Sequence, residues 1–269
     1  MTVVGLGCVR SAGVTTTAAG LAMVWPGQGC RVLVEADPAG GTLAAAAGLA
    51  VEPGLVSLAA TARRLADPGL VFDHTQALPG GTQVVCAPPG GEQARSVVSM
   101  LGPLLLRLGE VEGMVLVDCG RLDPAGPSAS ILVAADVAVL VCRPQLADLN
   151  ALAAFLDPQD RDGRRPVVVL VGPGPYPPGE ISETLGVEVA GQLPWDAEAA
   201  AGLVTLGPSH RRLTRSSLVR ALRSLAADLA ARLPAADPSP PETVMPETVM
   251  PEPPDGVASV ELAVAEAER

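Results

Sequence analysis

The stretch Gly7–Ala22, GCVRSAGVTTTAAGLA, follows directly on the apolar run Thr2–Leu6, and its reading decides the fold. A short β-forming segment, a turn rich in Gly and Ser, and a Thr-led Ala/Leu run predict strand, loop and helix in immediate succession. The N-terminus of such a helix leaves backbone N–H groups unpaired and presents the positive end of its dipole, which suits an anion. A hydroxyl from Thr15 or Thr16 adds a donor for phosphate or a ligand for Mg²⁺. The same pattern also suits a Gly/Ser turn that joins strand to helix and holds no ligand.

Loops of the Walker A type place Lys immediately before that Thr. Here the position is Val14, and the chain contains no Lys at all, since all 18 residues in the Lys and Arg total are Arg. Charge on a bound phosphate must then be met by Arg, by metal or by backbone dipoles. Arg10, inside the loop, is the nearest candidate, although a planar guanidinium does not copy the geometry of a compact ammonium.

Two further apolar runs end in carboxylates. Arg31–Ala36 (RVLVEA) leads to Asp37-Pro38, and Met114–Val117 (MVLV) leads to Asp118. A carboxylate at the C-terminal end of a parallel strand points into the crevice where open α/β sheets bind ligands. Glu35 and Asp37, two apart, share a face of their strand end, and either could hold Mg²⁺ through water or orient an attacking water. Asp37 alternatively caps the following turn, as Asp before Pro-Ala-Gly-Gly commonly does. Asp118 has the form of a Walker B carboxylate, delivered to the outer shell of a metal by a buried strand.

Strands recur at Thr82–Ala87, Asp136–Cys142, Pro166–Gly172 and Val187–Leu193, alternating with helical patterns that include Glu92–Leu108, Leu146–Leu156 and Ala197–Leu206. This alternation predicts βαβ units, right-handed crossovers and a mainly parallel sheet covered by helices on both faces, an α/β fold over residues 1–233. With 48% hydrophobic but only 2% aromatic residues, the core must be built from Val, Leu and Ala, and aromatic stacking is an unpromising way to hold bases. The five Cys show no CxxC pairs and read as reduced core residues, and only two His are present, which argues against a His-rich metal site. No apolar run reaches the roughly 20 residues needed to span a bilayer, and there is no secretion leader, so a cytoplasmic protein without a transmembrane segment is expected.

The net charge of -11 is unevenly placed: eight acids face Arg269 alone after Pro234, so seven of those negative charges sit in the tail. Residues 234–256 are a Pro/Glu-rich linker carrying the repeat PETVM, and 257–269 form an acidic segment that reads either as a partner-docking helix or as a solvated tail. Ser209–Arg223 gathers five Arg before and within the last helix, which Ser216 or Ser217 caps and which buries Leu218, Leu222, Leu225 and Leu229. Nonspecific contact with DNA phosphates is one reading of that cluster, but nothing there reads bases, and a solvated basic face is favoured.

These features, in this order, resemble the ParA/MinD group of P-loop ATPases. Against that family's GGKGGVGKTTTAANLA, the loop stretch agrees at Gly7, Gly13, Thr15, Thr16, Thr17, Ala18, Ala19, Leu21 and Ala22. RVLVEADPAGGTLA is similar to its VLLIDADPQGN, and MVLVDCG to its Walker B strand. ADVAVLVCRPQLADLNAL and GQLPWDAEAAAGLVTLG resemble later landmarks, the second lying near the adenine. The resemblance implies ATP or ADP with Mg²⁺ as cofactors, phosphate contacts from Gly7, Gly13, Val14, Thr15 and Thr16, and Pro194 beside the base. It further implies metal ligation through Thr15, Asp37 and Asp118, and catalytic roles for Asp37 and Asp118, with Arg10 standing in for a lysine. Family members act as sandwich dimers that hydrolyse ATP slowly and position chromosomes, plasmids, division sites or pili.

Two departures bear on mechanism. The family's P-loop Lys falls on Val14 and its dimer-crossing signature Lys on Val9. Loss of those cations removes a main electrostatic contribution to phosphoryl transfer. Three readings follow: a divergent positioning factor with weakened or lost hydrolysis, a slow ATPase that uses Arg10, or a non-enzymatic scaffold that binds a partner through its tail.

Overall fold

The computed structural model describes residues 2–27, 30–65, 67–110, 113–156, 165–206 and 210–233. The linker and terminal segment expected after Pro234, and Ser209 of the Arg cluster, lie outside these.

Eight strands form one sheet: β1 (Thr2–Cys8), β2 (Arg31–Glu35), β3 (Gln76–Ala77), β4 (Gln83–Val85), β5 (Met114–Arg121), β6 (Val137–Cys142), β7 (Val167–Val171) and β8 (Val189–Leu193). Their spatial order is β3-β4-β2-β5-β1-β6-β7-β8, and every neighbouring pair is parallel except the short β3–β4 hairpin. Parallel pairing requires long crossovers, and the helices between the strands supply them: α1 (Val14–Val24), α2 (Leu43–Ala47), α3 (Leu55–Ala62), α4 (Gly91–Leu105), α5 (Pro127–Ala134), α6 (Leu146–Leu156) and α7 (Pro178–Leu185); α8 (Ala197–Thr205), α9 (Arg211–Thr214) and α10 (Ser217–Ala230) follow β8.

The strands read as continuous Val/Leu runs because both faces are covered. Along β5, Leu116 belongs to the core layer that contains α1, α2, α8 and α10, whereas Val115 and Val117 belong to the layer that contains α3, α4, α5 and α6. Along β2, Leu33 takes the first face, and Val32 and Val34 take the second. This two-residue alternation fixes the aim of the carboxylates that follow. Asp118 continues the Leu116 face and Glu35 the Leu33 face, so both turn toward the layer that contains α1. Register then brings them side by side, since Glu35 stands opposite Asp118 across β2–β5 and Leu6 stands opposite Asp118 across β1–β5. The loop after β1 and the ends of β2 and β5 therefore meet at one edge of the sheet.

The last helix is capped as its sequence requires: the Ser216 hydroxyl accepts the Val219 N–H at 3.1 Å, and Leu218, Leu222, Leu225 and Leu229 are buried. Elements without a strong pattern also appear, among them α5, α7 and a 3₁₀ segment at Pro68–His74, the last entered by an Asp67 cap on the Gly69 N–H.

Candidate functional site

The loop Val9–Gly13 ends in Gly13 at φ 82°, a left-handed conformation that a side chain rarely adopts, and a Cβ there would meet nothing within 4 Å. Glycine is thus demanded by the backbone turn, and the space above it is open. No side chain caps α1, so the first-turn N–H groups face that space. Thr17 is turned back, its hydroxyl donating to the Gly13 carbonyl at 2.9 Å.

Thr15 lies beside Asp118, and its hydroxyl offsets part of the cost of burying that carboxylate. Asp118 is wholly buried. Its Oδ1 accepts the Gly120 N–H at 2.9 Å, while Oδ2 is buried with no hydrogen-bond partner. Burial pushes the Asp118 carboxyl up to about 7, and the neighbouring charges of Glu35 and Asp37 push in the same direction. Asp37 sits at the mouth of the same hollow. A Cβ on Gly120, at φ 59°, would fall 2.0 Å from the Asp37 carboxyl carbon, so the turn after Asp118 is open only because Gly120 has no side chain. Asp37 also makes the turn its local sequence suggests, with Oδ1 accepting the Ala39 N–H at 2.7 Å. Burial raises its pKa, offset by that bond and by Arg121.

Glu35 is committed elsewhere. Oε1 accepts the N–H groups of Thr42 at 2.6 Å and Leu43 at 3.0 Å, and Oε2 accepts that of Ala87 at 3.0 Å. It thereby ties the loop after β2 to the end of β4, a structural task rather than the metal or water role that its spacing from Asp37 allowed. Gly41 allows that closeness, because a Cβ there would stand 2.3 Å from the Ala87 carbonyl oxygen.

Of the residues expected at the site, Gly13, Thr15 and Thr16 form the start of α1, Thr15 meets Asp118, and Asp37 stands near Asp118 against Gly120. Gly7 does not join them: it is a buried strand residue whose absent Cβ leaves room for Leu122. Val14 is 5% exposed and packs into the core, so the lysine position carries an apolar side chain directed inward. Arg10 points away along the surface, with Nε 3.0 Å from Asp148 Oδ1 on α6. The thiol of Cys8 beneath the loop is pushed up to about 11 by burial and remains protonated at neutral pH.

A largely apolar cavity of about 320 Å³ adjoins the loop, running from Ser11, Gly13 and Thr16 past Val171 to Pro194, Trp195 and Leu222. Pro194 is therefore on its wall. Trp195 is 65% exposed at the rim, against 7% for Trp25 in the core. The scarcity of aromatics in the whole chain said nothing about where this one would stand. Arg121 and Arg143 were also missed. Each follows an apolar strand, at the ends of β5 and β6, and each reaches the loop: Arg121 donates to the Ser11 hydroxyl at 3.4 Å and Arg143 to the Ser11 carbonyl. The logic that singles out carboxylates at strand ends applies equally to these cations.

The arrangement fits a nucleotide with Mg²⁺. A cavity of this size suits a base and sugar, the α1 N-terminus suits phosphate, and the Thr15 hydroxyl and the unpartnered Asp118 Oδ2 suit a hard cation. Among the described residues no group of three His, Cys, Asp or Glu side chains could hold a metal unaided, so phosphate and water would complete its shell.

The fold matches the ParA family ATPase of Chlorobium tepidum TLS at a TM-score of 0.70 and 17% identity, over 85% of this chain and 98% of that one. The cell division ATPase MinD of Pyrococcus furiosus matches at 0.66 and 18%, over 86% and 98%. The septum site-determining protein MinD of Pyrococcus horikoshii, complexed with Mg-ADP, matches at 0.66 and 17%, over 85% and 95%. No protein-family model and no curated protein matches the sequence. The chain has a ParA/MinD-like P-loop NTPase fold. Among the described residues no helix is long and apolar enough to cross a membrane.

Proposed function

We propose that the protein binds an adenine nucleotide with Mg²⁺ in the hollow between Gly13, Thr15 and Asp118, and acts as a nucleotide-responsive positioning factor without efficient hydrolysis. The observation that carries this reading is the buried, unpartnered Asp118 Oδ2 beside Thr15 at an uncapped helix N-terminus. Such an atom costs free energy unless a ligand satisfies it. The Thr15 hydroxyl and, through water, Asp118 and Asp37 would hold Mg²⁺, which when bound neutralises phosphate charge. The first-turn N–H groups of α1 orient the phosphates, and the cavity bounded by Pro194 and Trp195 takes the base and excludes water from it.

Weak turnover follows from the same residues. Val14 supplies no charge to a transferring phosphoryl group, and Arg10 is held by Asp148. The fold is shared with proteins named for cell division and septum-site determination, and the Pyrococcus horikoshii protein is complexed with Mg-ADP. A homodimer, cytoplasmic action and a tail at residues 257–269 that docks a protein partner belong to the same proposal and rest on sequence reasoning alone. The Arg face of α9 and α10 is taken as solvated rather than DNA-binding: Arg212 pairs with Glu198 at 3.3 Å, and Arg220 and Arg223 bond back to the carbonyls of Arg215 and Thr214.

Calorimetry with ADP and ATP, each with and without Mg²⁺, tests the reading. Saturable binding that Mg²⁺ strengthens supports it, and absence of heat at millimolar nucleotide overturns it.

A further inference from the structure

With no lysine in the chain, a bound phosphate chain needs another cation, and three guanidinium groups surround the loop. They are not equivalent. Arg10 is 58% exposed, is not on the cavity wall, and is matched by Asp148, whose side chain is only 12% exposed. Arg121 is off that wall as well, and its charge acts on Asp37. Arg143 alone of the three lines the cavity, together with Ser11, Gly13 and Thr16. Its donation to the Ser11 carbonyl fixes the guanidinium against the loop. Its Nε is buried and makes no hydrogen bond, standing 3.5 Å from Asp148 Oδ2. Asp148 is one carboxylate shared by two arginines, so the group keeps a net positive charge, and of the two Arg143 stands on the cavity wall.

From this geometry, and resting on the nucleotide reading above, we infer that Arg143 is the cation that binds the phosphates of a nucleoside di- or triphosphate in place of the absent lysines. The guanidinium projects from the end of β6, on the opposite side of the loop from Asp37 and Asp118. Phosphate is thus held between Arg143 and the α1 N–H groups, while the two carboxylates are left to the metal. A planar guanidinium suits this task because it can meet two phosphate oxygens at once while retaining its bond to Ser11. Asp148 orients both arginines and is a positioning residue.

The test uses the full chain and compares ADP, ATP and adenosine by calorimetry in wild type, Arg143→Gln, Arg143→Lys and Arg10→Gln. Loss of one charge-assisted contact is expected to weaken ADP and ATP binding about tenfold or more in Arg143→Gln. Adenosine, which has no phosphate, should bind this variant as it binds wild type. Arg143→Lys, which keeps the charge, should lose less than Arg143→Gln, and Arg10→Gln should also lose less. A thermal melt of each variant reports whether the loss of the Ser11 contact has unfolded the site. Equal weakening of ADP and adenosine in Arg143→Gln assigns Arg143 a structural role and overturns the inference. So does unchanged ADP affinity, or a larger loss in Arg10→Gln. In all these cases wild type still binds ADP, so the nucleotide reading stands. Wild type that binds no nucleotide overturns both.

Discussion

Asp118→Asn is expected to stabilise the nucleotide-free protein above neutral pH. In the folded chain the carboxyl is pushed up to about 7 by complete burial, against the ordinary value of 3.8. Between these values the native state holds a proton that the unfolded chain releases, so stability falls as pH rises through the window from about 4 to about 7. Above that window the full penalty is present. A displacement of about three pH units corresponds to about 4 kcal/mol, an upper figure because Glu35 and Asp37 titrate with it in one cluster. Asn keeps the shape and an oxygen acceptor for the Gly120 N–H but carries no charge. The variant should therefore match wild type near pH 4 and exceed it by about 2 to 4 kcal/mol at pH 8. For a domain of this size each kcal/mol moves Tm by about 2–4 °C. Urea unfolding of both proteins at pH 4 and pH 8, without nucleotide or divalent cation, measures the difference. An identical pH dependence in the two proteins would refute the reasoning, because it would show that Asp118 is not a charge buried at cost.

Other perturbations probe the surrounding structure. Gly120→Ala places a Cβ against the Asp37 carboxyl at a positive φ, so it should cost at least about 2 kcal/mol and release the Asp37–Ala39 bond, read by urea unfolding. Glu35→Gln sets an amide NH₂ against backbone N–H groups that now find acceptors, and a loss of about 2–3 kcal/mol is expected at pH 7, measured in the same way. Trp195 is exposed at the cavity rim whereas Trp25 is buried, so ADP should change the fluorescence of wild type and of Trp25→Phe, and leave that of Trp195→Phe nearly constant.

Much of this was legible in the residues. Unbroken Val/Leu strands ending in Asp118 and at Glu35-Ala36-Asp37, spaced by helical patterns, specify a parallel sheet with both faces covered, and strand alternation sets Asp118 on the same face as Leu116. The gathering of Thr15, Asp37 and Asp118 follows from strand order, which local pattern does not give; the resemblance to ParA/MinD proteins implied it only by assigning all three to one metal. Other features depend on contacts distant in sequence. Glu35 is consumed by the N–H of Ala87, 52 residues away, so its spacing from Asp37 was a poor guide to its role. Arg10 looked available because the loop sequence does not contain Asp148, which reaches it from α6. Short α7 has a weak pattern because Ile181 alone of its residues is buried. Arg143 was overlooked for a chemical reason: a missing lysine was sought within the loop, whereas the sheet brings a cation to the same place from another strand.

The central claim is that phosphate and a divalent cation share the hollow between α1 and Asp118. Electron paramagnetic resonance of Mn²⁺, titrated with protein in the presence and absence of ADP, tests it most directly. Mn²⁺ is expected to become protein-bound only when ADP is present, with that binding lost in Thr15→Val. Mn²⁺ that stays free with ADP, or binds equally well in Thr15→Val, would contradict it.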